Sequence, residues 1–238
     1  MMKVTQRLLG PVTALLLALT FWLGLWVTPP DETQGDLVRL LYVHPPLAWV
    51  ALYVSFGTAT IASCLYLWRR TRTQNMDRIA HCAMEVSVVF IVLTLITGSL
   101  WGRPTWGVWW AWDARLTSTA ILGVFALAYL ALRRANDDPT LRARRSAVFA
   151  ILTAINVPII HFSVVWWKTL HQGASVLTST GQLNVHGSML WTMLCGFVGF
   201  TLLFVWLLRY RYRLEAFRDL RAATAVDEAL AARRGEGL

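Results

Sequence analysis

Between Trp101 and Thr117 the chain reads W-G-R-P-T-W-G-V-W-W-A-W-D-A-R-L-T, which sets Trp101, Trp106, Trp109, Trp110 and Trp112 within twelve residues. Each indole offers roughly 150–250 Å² of apolar surface and one polar N–H, a combination suited to a flat, largely apolar ligand at a wet boundary. Gly102, Pro104 and Gly107 are predicted to interrupt any long regular element here, so that the rings project from a short, bent segment in several directions. Two histidines flank this platform in sequence. His44 precedes Pro45-Pro46, which disfavours helical geometry at His44 and suits the first turn of a following helix, so its imidazole is expected in a loop. His171 lies in Lys168-Thr169-Leu170-His171-Gln172-Gly173, again a loop by composition. Neutral imidazoles for an iron and apolar faces for a macrocycle are what a porphyrin requires.

Other residues near this platform carry more than one reading. Asp113 is placed to cap the helix that begins after it, to shape the ligand site, or both. Arg103 and Arg115 are each suited to hold a carboxylate such as a haem propionate, or to pair with Asp113. His161 follows Pro158 by three residues and is expected to bond a carbonyl freed by a kink. His186, beside Gly187, is an alternative ligand or a surface residue. His81 and Glu85, four apart, are expected to pair on one helix face.

The elements that position these residues follow from composition. Of 238 residues, 56% are hydrophobic, mean hydropathy is +0.51, and apolar runs of about twenty residues recur between basic clusters, as a helix crossing a bilayer requires. Six spans are predicted, at about Leu8–Val27, Leu47–Trp68, Ile79–Gly98, Leu116–Leu132, Ala147–Val165 and Ser188–Leu208. The net charge of +9 does not point to nucleic acid, because Lys and Arg bracket the apolar runs instead of covering a polar domain. Lys3 and Arg7, the cluster Arg69, Arg70, Arg72 and Arg78, the cluster Arg133, Arg134, Arg142, Arg144 and Arg145, and seven arginines beyond Leu208 all fall on one side. Only Arg39, Arg103, Arg115 and Lys168 fall on the other, so both termini are expected inside and the tryptophan loop, between spans three and four, outside. The expectation is an all-α integral membrane protein. Residues 1–213 form its six-helix domain, residues 99–117 the tryptophan segment, and residues 214–238 a cytoplasmic tail with Leu214, Phe217 and Leu220 at near-helical spacing.

Cys64, Cys82 and Cys195 are isolated, and no C-x-x-C-H motif occurs, so neither disulfide nor covalent haem chemistry is indicated. No phosphate-binding loop, H-E-x-x-H or serine elbow is present, which argues against ATP hydrolysis and against metalloprotease or esterase chemistry.

The chain resembles the CcmC family, the haem-handling membrane proteins of bacterial-type cytochrome c maturation. Trp101-Gly102, Trp106-Gly107, Trp109-Trp110 and Trp112-Asp113-Ala114-Arg115-Leu116-Thr117 match that family's WWD signature. Tyr42-Val43-His44-Pro45 and Trp166-Trp167 followed by Thr169-Leu170-His171-Gln172-Gly173 support the likeness. The resemblance implies that haem b is held transiently by the tryptophan segment and by His44 and His171 at the periplasmic face of the bacterial cytoplasmic membrane. It implies transfer to a membrane-anchored haem chaperone, CcmE, which attaches the haem covalently, and assembly with an ATP-binding subunit, a second membrane subunit and a small helical subunit (CcmA, CcmB and CcmD). The chain itself is then a delivery component and not an enzyme. Two rival readings are a membrane b-type cytochrome that keeps its haem for electron transfer and a haem or solute permease subunit.

Overall fold

The computed structural model describes residues 2–173 and 185–235, and among them every regular element is helical, with no strand. Helix α1 (Met2–Trp22) ends in a π-helical turn, Leu23–Val27. A 3-10 helix, Asp36–Tyr42, leads into α2 (His44–Trp49), which continues through a π-helical turn, Val50–Ser55, into α3 (Phe56–Leu67). Then come α4 (Gln74–Trp106), α5 (Ala114–Arg134), α6 (Pro139–Thr153), α7 (Asn156–Trp166) and α8 (Gly187–Gly235). Six helical stretches are long and apolar enough to cross a membrane: Leu8–Val27, Asp36–Leu67, Gln74–Trp106, Ala114–Arg134, Pro139–Trp166 and Gly187–Gly235. The protein is thus a multi-pass membrane protein with the six predicted spans. Large apolar side chains such as Leu15, Ile61, Val124 and Val165 face outward, as they do when lipid covers the bundle.

Helix starts follow local chemistry. Thr73, Asp113 and Asp138 each accept a hydrogen bond from a backbone N–H three residues on, and so cap α4, α5 and α6. α4 lies at the centre, packed against α3, α5 and α8, while α1 lies along α8 and α7 along α5. Phe56, Met84, Phe90, Ile91, Leu122 and Tyr129 fill the core between them.

Three expectations about local structure differ from what is observed. The bent tryptophan segment is shorter than predicted, because α4 runs through Gly102 and Pro104 to Trp106. Pro104 removes a single backbone donor close to the helix end. The helix stops where Gly107 takes φ +79°, a conformation that L side chains rarely adopt. His44 opens α2 instead of lying in a loop. Its two following prolines occupy the first turn, where helical N–H groups have no partner to lose, and the Leu47 N–H closes onto the Val43 carbonyl at 3.0 Å. α8 continues unbroken past Arg213 to Gly235, so the segment expected as a separate tail, with its near-helical spacing, is the second half of a 49-residue helix.

At the end of the bundle opposite the tryptophans, ion pairs tie the helices together. Arg133 grips Asp77 at 2.6 and 2.9 Å, Arg211 grips Glu85 at 2.6 to 3.0 Å, and Arg78 meets Asp219 at 2.7 Å. His81 lies 3.7 Å from Glu85, the expected pairing, but Arg211 of α8 is the closer partner.

Candidate functional site

The start of α2, the last turns of α4, the start of α5, and the loop after α7 meet around one cavity of about 620 Å³. That volume lies within the range of small-molecule and cofactor sites. Its walls are largely apolar, with Leu52, Leu95, Ile160, Met193 and Phe197 among them. Into it come His44, His171, Trp101, Trp106, Trp110 and Arg115.

His44 is buried, at 9% exposure. Its Nδ1 lies 3.0 Å from the Thr97 hydroxyl. That hydroxyl has one proton, and it is directed at the Leu93 carbonyl 2.8 Å away, so toward His44 it is an acceptor and Nδ1 carries the hydrogen. Nε2 is left with a free lone pair. His171 Nδ1 lies 2.9 Å from the Gln172 carbonyl and 3.3 Å from an Arg115 nitrogen. The shorter contact requires Nδ1–H to donate to the carbonyl, which again frees Nε2. A ring N–H held by a carbonyl or hydroxyl is the usual support of a metal-binding imidazole.

The two ring centres are 6.2 Å apart, with their planes 39° from parallel. Imidazoles bonding one metal ion from opposite sides at roughly 2 Å each set their centres about 6 Å apart. Burial first, and then the Arg115 charge, push the His171 pKa below its ordinary 6.5, so the ring stays neutral and available as a ligand.

The tryptophans divide into two groups. Trp101 meets His44 edge-on at 5.9 Å, and its Nε1 donates to Gln34 at 2.8 Å. Trp106 lies 6.1 Å from His171, its ring folded over Gly102, where a Cβ would come within 2.8 Å of it. Trp110 is among the lining residues; its indole nitrogen is buried with no hydrogen-bond partner among the described residues, and its ring meets that of Trp112 edge-on at 5.6 Å. By contrast, Trp109 and Trp112 are 58% and 84% exposed and do not line the cavity. Arg103 also stays outside: it donates to the Gly107 carbonyl at 2.8 Å and lies over the Trp109 ring.

Arg115 is fixed within the cavity wall, donating to the Ser163 hydroxyl at 3.4 Å and the His161 carbonyl at 2.9 Å. It makes no ion pair among the described residues. Asp113 does not pair with it, because one carboxylate oxygen caps α5 at Leu116 N, 2.8 Å away, and the other accepts from Leu170 N at 3.3 Å. The aspartate therefore ties the start of α5 to the loop that carries His171. His186 is exposed and lines a neighbouring cavity of about 520 Å³ on the other side of Trp101.

Several contributors were not signalled by residue type. Thr97 orients His44, and Gly98 makes room for it, since a Cβ there would meet His44 Cε1 at 3.0 Å. Both lie 53 or 54 residues from His44, at the end of an apolar run, and only their small size could have marked them. Tyr53, in the π-helical turn, bonds His161 Nδ1 at 2.5 Å, so His161 has a side-chain partner in place of the expected freed carbonyl.

The family model for CcmC, described as heme exporter protein C, matches residues 1–227. Heme exporter protein C of Bradyrhizobium diazoefficiens is 43% identical over 211 residues, covering 88% of this chain and 78% of the relative. The Haemophilus influenzae protein of that name is 38% identical over 208 residues, covering 87% of this chain and 83% of the relative. Heme exporter protein C of Escherichia coli K12 is 35% identical over 191 residues, covering 80% and 75%. A six-span bundle whose WWD segment borders a cavity holding both His44 and His171, matched along nearly its whole length by these proteins, belongs to the heme exporter protein C (CcmC) family.

Proposed function

We propose that this chain binds haem b between His44 and His171 and presents it, at the periplasmic face of the bacterial cytoplasmic membrane, to the membrane-anchored chaperone CcmE for covalent attachment during c-type cytochrome biogenesis. The observation that carries this reading is the pair of imidazoles with free Nε2 atoms, 6.2 Å between centres, inside a cavity walled by tryptophan. The names of the relatives, heme exporter protein C, agree with haem as the cargo. Trp101 and Trp106 border the iron site from the edges of the two imidazoles, and Arg115 supplies a positive charge for a propionate. Arg103, Trp109 and Trp112 form the outward rim, a surface a haem acceptor would meet.

The periplasmic orientation rests on charge: eighteen of the twenty-two Lys and Arg lie on the side away from this cavity or in the tail. The chain has no phosphate loop of its own, in keeping with a complex in which CcmA supplies ATP hydrolysis and CcmB and CcmD complete the membrane part. Its role is delivery, with attachment carried out on the chaperone.

The test is the visible spectrum of detergent-purified protein beside His44→Ala and His171→Ala, all made without the chaperone. A low-spin haem spectrum in the parent, weakened or altered in both variants, is expected. The same spectrum in all three samples would overturn the two-histidine site.

A further inference from the structure

One wall of the cavity gives onto lipid. Trp49 and Tyr53, from α2 and the π-helical turn after it, and Phe162 and Val165, from α7, all line the cavity. All four are also exposed on the outside of the bundle, where lipid covers a spanning helix. The cause is a parting of helices. α6 packs against both α3 and α5, but after the break at Ala154 and Ile155 the outer half of that span, α7, packs on α5, and no comparable packing joins it to α2 or to the π-helical turn. Its polar anchors go the same way, since the Asn156 side chain donates to the Ser118 carbonyl at 2.8 Å and Arg115 donates to the His161 carbonyl. α2 and the π-helical turn pack instead against α4 and α8. Within that turn the Ser55 hydroxyl bonds the Val50 and Ala51 carbonyls, which keeps the irregular backbone satisfied in lipid. Among the described residues a single hydrogen bond crosses the gap, between the Tyr53 hydroxyl and His161 Nδ1 at 2.5 Å.

We infer that this gap is a lateral portal through which the porphyrin enters the histidine site from the outer leaflet of the bilayer, with the Tyr53–His161 bond as its latch. This rests on the haem reading above and adds the route of the ligand to it. The occupant follows from what the gap joins. On one side is lipid, into which a largely apolar macrocycle partitions. On the other are His44 and His171, which line the same cavity. The frame of the gap is aromatic, with Trp49 5.3 Å from Tyr53 on one side and Phe162 4.8 Å from His161 on the other. A lone side-chain bond between membrane helices is weak enough to open and reclose. Entry from lipid and departure across the rim of Arg103, Trp109 and Trp112 then use different sides of the site.

The experiment follows the Soret band of the full-length protein reconstituted in phospholipid vesicles, with haemin added to the lipid. Tyr53→Cys and His161→Cys are combined in a chain whose Cys64, Cys82 and Cys195 are replaced by Ala, and the pair is joined by a short bismaleimide either before or after haemin. Joining first should slow uptake at least tenfold relative to the unjoined protein. Joining afterwards should leave the spectrum unchanged and slow the loss of haemin to excess empty vesicles to the same degree. Tyr53→Phe, which keeps the ring and loses the latch, should load about threefold faster and reach the parent spectrum. Uptake as fast in the joined as in the unjoined protein would overturn the portal and leave the gap as a seat for another helix or an acyl chain. An altered spectrum on joining the loaded protein would make these residues part of the binding site itself, and an unchanged rate in Tyr53→Phe would remove the latch; either overturns the inference. His44→Ala separates these outcomes from failure of the underlying reading. If the parent takes up no haemin, or if His44→Ala leaves its spectrum unaltered, the two-histidine site fails and the portal falls with it.

Discussion

Burial, and then the neighbouring Arg115 guanidinium, lower the His171 pKa below its ordinary 6.5. The consequence for haem is a matter of competition, since a proton and the iron contend for one lone pair. A ligand with an ordinary pKa would begin to release iron as the pH falls through about 6.5. Because the His171 value is depressed, neutral imidazole persists further into acid, and retention should hold at pH 6.5 and fail only below it. A pH titration of the Soret band would show this, and a midpoint at or above 6.5 would contradict it. Arg115→Gln removes the charge contribution and should move the midpoint upward. Individual residues also show where a sequence is mute. The candidate ligands are visible by type, but Gly98 is not, because its importance lies in the 3.0 Å that separates a hypothetical Cβ from a ring 54 positions away. Nor does sequence fix a tautomer: that of His44 follows from the Thr97 hydroxyl already being committed to Leu93.

Among the elements, Asp113 performs two tasks with two oxygens. Losing an N-cap costs about 1 kcal/mol, and here it also releases the Leu170 N–H that anchors the segment before His171. Asp113→Ala should lower the thermal midpoint modestly and weaken haem binding with the spectral signature of His171→Ala. Asp113→Asn retains one oxygen, enough for the cap but not for both bonds, and should fall between. Parent-like haem binding in Asp113→Ala would show that the loop is held by something else. The cap was readable from sequence as one of two alternatives because capping is local, whereas the bond to Leu170 spans 57 residues and depends on α5 and α7 lying side by side. The same distinction explains the spans. Apolar runs bounded by arginine clusters announce their helices, but their ends depend on neighbours. α4 passes through Pro104, which removes only one backbone donor close to the helix end, and α8 runs past Arg213 while Arg78 and Glu85 of α4 hold Asp219 and Arg211. Pairings of that kind leave no periodic trace in either segment.

Across the whole molecule, the two ends of the bundle are built differently. The cavity end relies on aromatic surface, and its Arg115 has no carboxylate partner among the described residues. The opposite end is closed by cross-helix ion pairs. Of these, Asp77 of α4 and Arg133 of α5 are the most enclosed, at 13% and 8% exposure, with two short bonds between them. Breaking a buried pair leaves one charge without its partner, at a cost of about 3 kcal/mol or more, whereas replacing both partners by apolar groups is far less damaging. Asp77→Asn should therefore lower the thermal midpoint in detergent clearly, and Asp77→Leu combined with Arg133→Leu should restore most of the loss. The haem spectrum at room temperature should be unchanged in all of them. Twenty residues of α4 separate Asp77 from Thr97, about 30 Å at 1.5 Å per residue, and Thr97 touches the site through His44. A double variant as unstable as the single one would mean that the pair sets helix register as well as balancing charge. Haem lost from a variant that is still folded would mean that α4 transmits the state of one end to the other, making it the natural route by which partners at the arginine end could govern haem release.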